Sequence, residues 1–186
     1  MASLHALTAL GAREAAVIKV GPLVITERFD VALASVAARR GRMADLAKAA
    51  KKLALPLPEP ARHEAAEVYA AFWTAPEMWL VEAPFASHEL IADMLKAALG
   101  DASSVTEQTD AWVAFDLAAP ELSPLLERLC NVDFPAVAPG YATRTMIEHL
   151  GCYLIKHGPG AARLYGPRSS AKSLLHALEA AAQSAW

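Results

Sequence analysis

An α+β fold is what the order of elements along this 186-residue chain predicts. Three observations carry that class. From residue 77 onward, stretches of period two alternate with stretches of period 3.6 in the order β-α-β-β-α-β, with a further β-α behind them. Each helical stretch in that half opens at a serine: Ser87, Ser123, and Ser169 or Ser170. A proline run, Pro56-Leu57-Pro58-Glu59-Pro60, sets that half apart from what precedes it. The order of the second half is that of split βαβ, ferredoxin-like units.

Taken in order, residues 1–14 read as a loose N-terminus. Val17 to Thr26 is rich in β-branched residues and reads as a strand interrupted at Gly21-Pro22, where the proline has no donor for a ladder. Val31 to Arg39 fits either a helix, by its alanines, or a strand, by Val31, Leu33 and Val36. Met43 to Leu53 is a helix with Met43, Leu46, Ala47, Ala50 and Leu53 on one face and lysines on the other. The proline run is a stiff extended connector. Arg62 to Phe72 is a short amphipathic helix or an irregular lead-in, so a subdomain boundary falls between residues 56 and 72. The expected organisation is a β/α subdomain over 15–72 and a ferredoxin-like subdomain with an added hairpin and C-terminal helix over 73–186.

In the second half, Glu77 to Ala83 is a strand with Trp79 and Val81 on one face and Met78 and Leu80 on the other. Both faces are apolar, which predicts a central strand covered on both sides. The following helix puts Leu90, Ile91, Met94, Leu95, Ala98 and Leu99 on one stripe and stops at Gly100. Val105–Gln108 and Ala111–Leu117 are strands around Thr109-Asp110. Ser123-Pro124 starts a helix, cap first and proline next, whose buried side holds Leu125, Leu126, Leu129 and Cys130. Asn131 to Gly140 is a loop, Thr145 to Lys156 a long strand, His157-Gly158-Pro159-Gly160 a turn, and Ala161 to Tyr165 the returning strand. In the last helix Leu174, Leu175, Leu178 and Ala182 pack inward.

The bulk numbers exclude several classes. A chain of this length buries about 70% of its unfolded surface, enough for a real core. Seventeen Lys and Arg against 20 Asp and Glu leave a net charge of −3, unlike the basic footprint of a nucleic-acid binder. Arg39-Arg40-Gly41-Arg42 and Lys48 to Lys52 read as solvated helix faces. The mean hydropathy of +0.26 owes much to alanine, and no apolar run reaches the roughly 18 residues of a membrane span. Met1 to Leu10 lacks the basic start of a secretory signal. Cys130 and Cys152 are too few for a disulfide framework and read as free thiols in a reducing cytoplasm.

Several ordered segments together resemble the gamma subunit of heterotetrameric sarcosine oxidase. Leu55-Pro56-Leu57-Pro58 is similar to that family's leucine-proline connector, and Trp73, Pro76, Trp79 and Leu80 to its tryptophan-glycine-proline-x-x-tryptophan-leucine segment. Glu107-Gln108-Thr109-Asp110, the set Leu126, Leu129, Cys130 and Asp133, and Ala142-Thr143-Arg144-Thr145 follow in the family's order. Arg168-Ser169-Ser170-Ala171 resembles its arginine-serine-phenylalanine-alanine opening of the last helix. Ala75 stands in place of a glycine, Ser170 in place of a phenylalanine, and Ala119-Pro120 in place of a glycine-proline. The resemblance implies a fold like the folate-binding domain of the glycine-cleavage aminomethyltransferase. It further implies a non-catalytic chain in a complex with alpha, beta and delta subunits, where FAD, FMN, NAD, folate and zinc belong to the partners. It implies no catalytic, cofactor-binding or metal-ligating residue in this chain, and it leaves the N-methylated amine substrate open.

The residues themselves point the same way. Gly158-Pro159-Gly160 leads into a strand rather than a helix, and Pro159 removes an amide, so a hairpin turn is expected rather than a pyrophosphate loop. No Walker-type loop and no Gly-x-Ser-x-Gly elbow is present. The histidines, His5, His63, His88, His149, His157 and His176, show no ligand-type spacing. His149 and His157, eight apart on one expected strand, would stand about 26 Å from each other. Cys130 on an apolar helix side reads as inert packing, and Asp93, Asp116 and Asp133 form no pair that the sequence places. Trp79 reads as core; Trp73 fits core or interface anchor equally. Arg168 fits an anion site at the last helix, a salt bridge or a partner contact. Two other readings stand beside the subunit: a stand-alone folate-binding one-carbon protein, and a ligand-sensing ferredoxin-like module.

Overall fold

Gly21, with φ at +55°, turns the chain sharply between β1 (Val17–Val20) and β2 (Leu23–Arg28), which pair antiparallel. This computed structural model describes residues 5–186. The ambiguous stretch that follows is a strand, β3 (Val31–Ala38), leading to α1 (Met43–Lys52). Then come β4 (His63–Ala65), β5 (Ala70–Ala75), β6 (Met78–Pro84), the single turn α2 (Phe85–His88), α3 (Ile91–Leu99) and β7 (Ser103–Glu107). The remainder is β8 (Trp112–Ala118), α4 (Ser123–Leu129), β9 (Ala142–Ile147), β10 (Leu150–Gly158), β11 (Ala161–Pro167) and α5 (Ala171–Ala185). The class is α+β, with two antiparallel sheets, as the element order predicts.

These elements pack as two units. The middle unit, Asp30–Asp110 with Gly140–Thr143, holds a five-stranded sheet in the order β4-β5-β6-β3-β7. Its β3-α1-β5-β6-α3-β7 run is a complete split βαβ arrangement with β4 added at the edge. Alternation on β3 and β6 turns Ala32, Ala34, Val36, Trp79, Val81 and Ala83 toward the helices, where Leu46, Ala50, Ile91, Leu95 and Leu99 close the core. Leu33, Phe72 and Leu80, on the opposite face, are buried too. β6 is therefore central and covered on both sides, as its two apolar faces predict.

The terminal unit gathers the described part of Met1–Phe29 with Ala111–Pro139 and Arg144–Trp186. Its six-stranded sheet runs β1-β2-β8-β11-β10-β9. Here β8-α4-β10-β11-α5 supplies most of a second split βαβ arrangement, and β2, from the N-terminal side of the sequence, fills the place of the fourth strand. Leu23 and Ile25 of β2 join Phe115, Leu117, Leu126, Leu154, Leu164, Leu174 and Leu178 in one core.

The structure corrects several expectations. The division at residues 72 and 73 falls inside β5, and the β-α-β-β-α-β run from residue 77 is shared between the two sheets. Periodicity identifies elements but not the sheet that each one joins. Arg62 to Phe72 holds β4 and the start of β5 instead of a helix or an irregular lead-in. Thr145 to Lys156 is not one strand: Glu148 and His149, with φ of +47° and +66°, turn β9 back into β10. A two-residue turn with both φ positive is normally written with Asn and Gly, so Glu-His gives no warning of it. On α3 the buried residues are Ile91, Leu95 and Leu99, while Leu90 and Met94 lie about one residue's rotation away and are exposed. Ser87, Ser123 and Ser170 stand near helix starts, but none makes a side-chain cap bond to the helix it opens. Of the loose N-terminus expected over 1–14, residues 1–4 lie outside the described residues. Downstream, the buried Glu27 carboxylate accepts hydrogen bonds from the Leu10 and Ala16 amides at 3.0 and 3.1 Å, which ties this segment down.

Candidate functional site

The residues that the sequence singles out are used mostly by the fold itself. Trp79 is 5% exposed, and its Nε1 donates to the Pro58 carbonyl at 2.8 Å, pinning the proline connector to β6. Trp73, its cross-strand partner on β5, is half-buried against the same core. Arg168 donates through Nη2 to the Leu7 carbonyl at 2.9 Å, an intrachain contact that sequence reasoning did not foresee. Asp133 accepts from the Ala136 amide at 3.3 Å and so caps its own turn. Asp93 is exposed in the first turn of α3, where a carboxylate suits the helix dipole.

Both cysteines are free thiols, Cys130 half-buried and Cys152 buried. Cys152 is fully buried on β10, and burial, followed by the neighbouring Cys130, pushes its thiol up to about 11. A thiol held there is protonated at neutral pH and is a poor nucleophile. The histidines are scattered. His149 lies in the β9–β10 turn, so the single-strand separation from His157 does not apply. His88 stands edge-on to Tyr69 at 5.2 Å and contacts Ser87. Among the described residues, no three His, Cys, Asp or Glu side chains gather as a metal ion would need. No described helix is long and apolar enough to cross a membrane.

Three buried polar side chains, Glu82, Lys156 and Glu27, went unnoticed at the level of sequence. His63 Nε2 and Glu82 Oε2 meet at 2.9 Å between β4 and β6. Lys156, 5% exposed, donates to the carbonyls of Phe134 at 2.6 Å and Val137 at 2.8 Å, and its ammonium sits 4.5 Å from the Phe134 ring centroid. It therefore anchors the 131–140 loop to β10 through dipoles and a ring face. The signal for it was present: Cys152, Leu154 and Lys156 alternate on one strand face, so a lysine continues an inward series. Glu27, described above, is the third.

An open groove of about 760 Å³ runs between α4 and α5 in the terminal unit. Leu129, Ala177, Ala180 and Ala181 line it together with Arg128, Lys172 and His176, and with Glu148 of the β9–β10 turn.

Each unit, then, is a ferredoxin-like sheet-and-helix assembly, and the chain is a two-unit α+β protein. No protein-family model matches it, and no curated protein matches it. Among solved structures, a chain of the heterotetrameric sarcosine oxidase from Corynebacterium sp. U-96, in complex with pyrrole 2-carboxylate, matches with a TM-score of 0.76 at 20% identity. The match covers 90% of this chain and 87% of that one, so the two are nearly co-extensive. The glycine cleavage system aminomethyltransferase T from Bartonella henselae matches with a TM-score of 0.58 at 12% identity, over 82% of this chain and 44% of that one. At these identities the likeness is one of fold, and it agrees with the resemblance carried by the sequence motifs.

Proposed function

We propose that this chain is the non-catalytic, structural gamma subunit of a heterotetrameric sarcosine oxidase complex. The observation that carries the reading is the nearly end-to-end likeness to a chain of such an oxidase, since a shared fold over the whole of both chains favours a shared place in an assembly. The engagement of Trp79, Glu27, Lys156 and Arg168 in intrachain contacts supports a structural role. In this reading the complex is cytoplasmic, and alpha, beta and delta subunits are the partners. They hold FAD, FMN, NAD, folate and zinc. The reaction converts sarcosine, tetrahydrofolate and oxygen to glycine, methylene-tetrahydrofolate and hydrogen peroxide on those other chains. The equivalent subunit of a related N-methyl amino acid dehydrogenase is the same reading with another amine.

The likeness to aminomethyltransferase T favours a second reading, a stand-alone folate-binding one-carbon protein. The chain spans less than half of that relative, which counts against it. Purified chain and chain co-expressed with alpha, beta and delta subunits separate the two. The subunit reading expects a colourless isolated chain that binds no tetrahydrofolate and co-purifies with a flavoprotein making peroxide from sarcosine. Micromolar folate binding by the chain alone, with no partner retained, replaces it with the one-carbon reading.

A further inference from the structure

The groove between α4 and α5 points to the chemistry of a partner, an inference that rests on the subunit reading above. Its lining carries two cations, Arg128 and Lys172, against one carboxylate, Glu148. Arg128 uses Nη1 on the Pro124 carbonyl at 2.6 Å and Nε on Ser184 Oγ at 3.4 Å, and among the described residues it meets no carboxylate. Lys172 is exposed and, among the described residues, makes no ion pair. His176 adds ring nitrogens on the same helix face, and Glu148 is the one acid on the lining. An excess of positive charge along a concave wall, in a chain of net charge −3, marks a surface that favours an acidic occupant.

The shape selects the kind of occupant. From Lys172 to Ser184 the groove follows α5 for about 18 Å, or roughly three helical turns. It is open along that length, whereas a small ligand is held in a cleft that encloses most of its surface. Apart from Lys172 and His176, α5 offers the groove only serine and alanine side chains. Small side chains let a second helix approach toward the short end of the usual interaxial range, about 8 Å. We propose that this groove docks an acidic helix of a partner subunit. Its small or apolar side chains lie on Leu129, Ala177 and Ala181, and its carboxylates face Arg128, Lys172 and His176.

The test uses the co-expressed complex. Lys172→Glu, alone and with Arg128→Glu, reverses the charge, and Ala180→Trp fills the groove from an exposed position. Circular dichroism checks that each variant folds. Each is expected to weaken retention of partner subunits by about tenfold, with wild-type retention falling as salt rises. A photo-crosslinking residue at position 180 is expected to capture a partner peptide rich in Asp and Glu. Wild-type retention in the folded Lys172→Glu and Ala180→Trp variants overturns the groove proposal alone. So does a crosslink to a basic or neutral peptide, or to a second copy of this chain. A wild-type chain that retains no partner at all overturns the subunit reading with it.

Discussion

Asp116, on β8, lies between two arginines from neighbouring strands. Arg163 Nε and Nη2 grip its two oxygens at 2.7 and 3.0 Å, and Arg28 Nη1 reaches Oδ2 at 2.6 Å. Burial pushes this carboxyl up, but hydrogen bonds and charge from Arg163 and then Arg28 outweigh it and hold the group below its ordinary value. Because the folded-state pKa is the lower one, the contribution to stability is present above the unfolded value of about 3.9 and disappears as pH falls through the folded value. Asp116→Asn is expected to lower stability at pH 7 by about 1–2 kcal/mol, allowing for screening of a side chain that is 30% exposed. Urea unfolding across pH 2.5–7, values chosen to bracket the carboxylate range, checks it. The gap to wild type narrows below about pH 4, and a constant gap removes the linkage argument. Sequence reasoning placed Asp116 in no pair, and its arginines could not be read from the chain because Arg163 and Arg28 stand 47 and 88 residues away. Trp79 was legible as core, since both faces of its strand are apolar, whereas its bond to Pro58 depends on where the connector folds back.

At the level of elements, the β10–β11 turn shows how a short motif acquires its meaning from what lies beside it. The carbonyls of Pro159 and Gly160 each accept a backbone bond at 3.0 Å, from Leu122 and Ala119 respectively, fastening the turn to the β8–α4 connection. A Cβ on Gly160 would collide with the Ala119 carbonyl oxygen and stand 3.0 Å from that of Pro120, while one on Gly158 would meet nothing within 4 Å. Gly160→Ala is therefore expected to cost about 3 kcal/mol, because backbone rather than a flexible side chain has to move. Gly158→Ala is expected to stay within about 0.5 kcal/mol of wild type. Paired thermal melts decide it, and equal losses in the two variants sink the close-approach account. The hairpin itself was readable from Gly-Pro-Gly. The β9–β10 hairpin was not, because Glu148-His149 lacks the residues that tolerate positive φ.

For the whole molecule, the decisive pairing is β2 with β8, where Thr26 stands opposite Asp116. It brings β1 and β2, from the N-terminal side of the sequence, into the sheet formed by β8 to β11. Deleting residues 1–29 is expected to leave the β8 edge unpaired, to strip Leu23 and Ile25 from the core, and to abolish cooperative folding of the terminal unit. A far-ultraviolet spectrum and melting curve like those of the intact chain would refute this. The sequence by itself determined the α+β class, the helices α1, α4 and α5, most strands and the two-sided burial of β6. Those follow from periods of 2 and 3.6, which are local and survive in any window of a dozen residues. Only the tertiary structure decided that the chain leaves one sheet after β7 and enters another at β8, and that β2 completes the second. Strand partners are chosen by contacts between residues dozens of positions apart, and no local pattern records that choice.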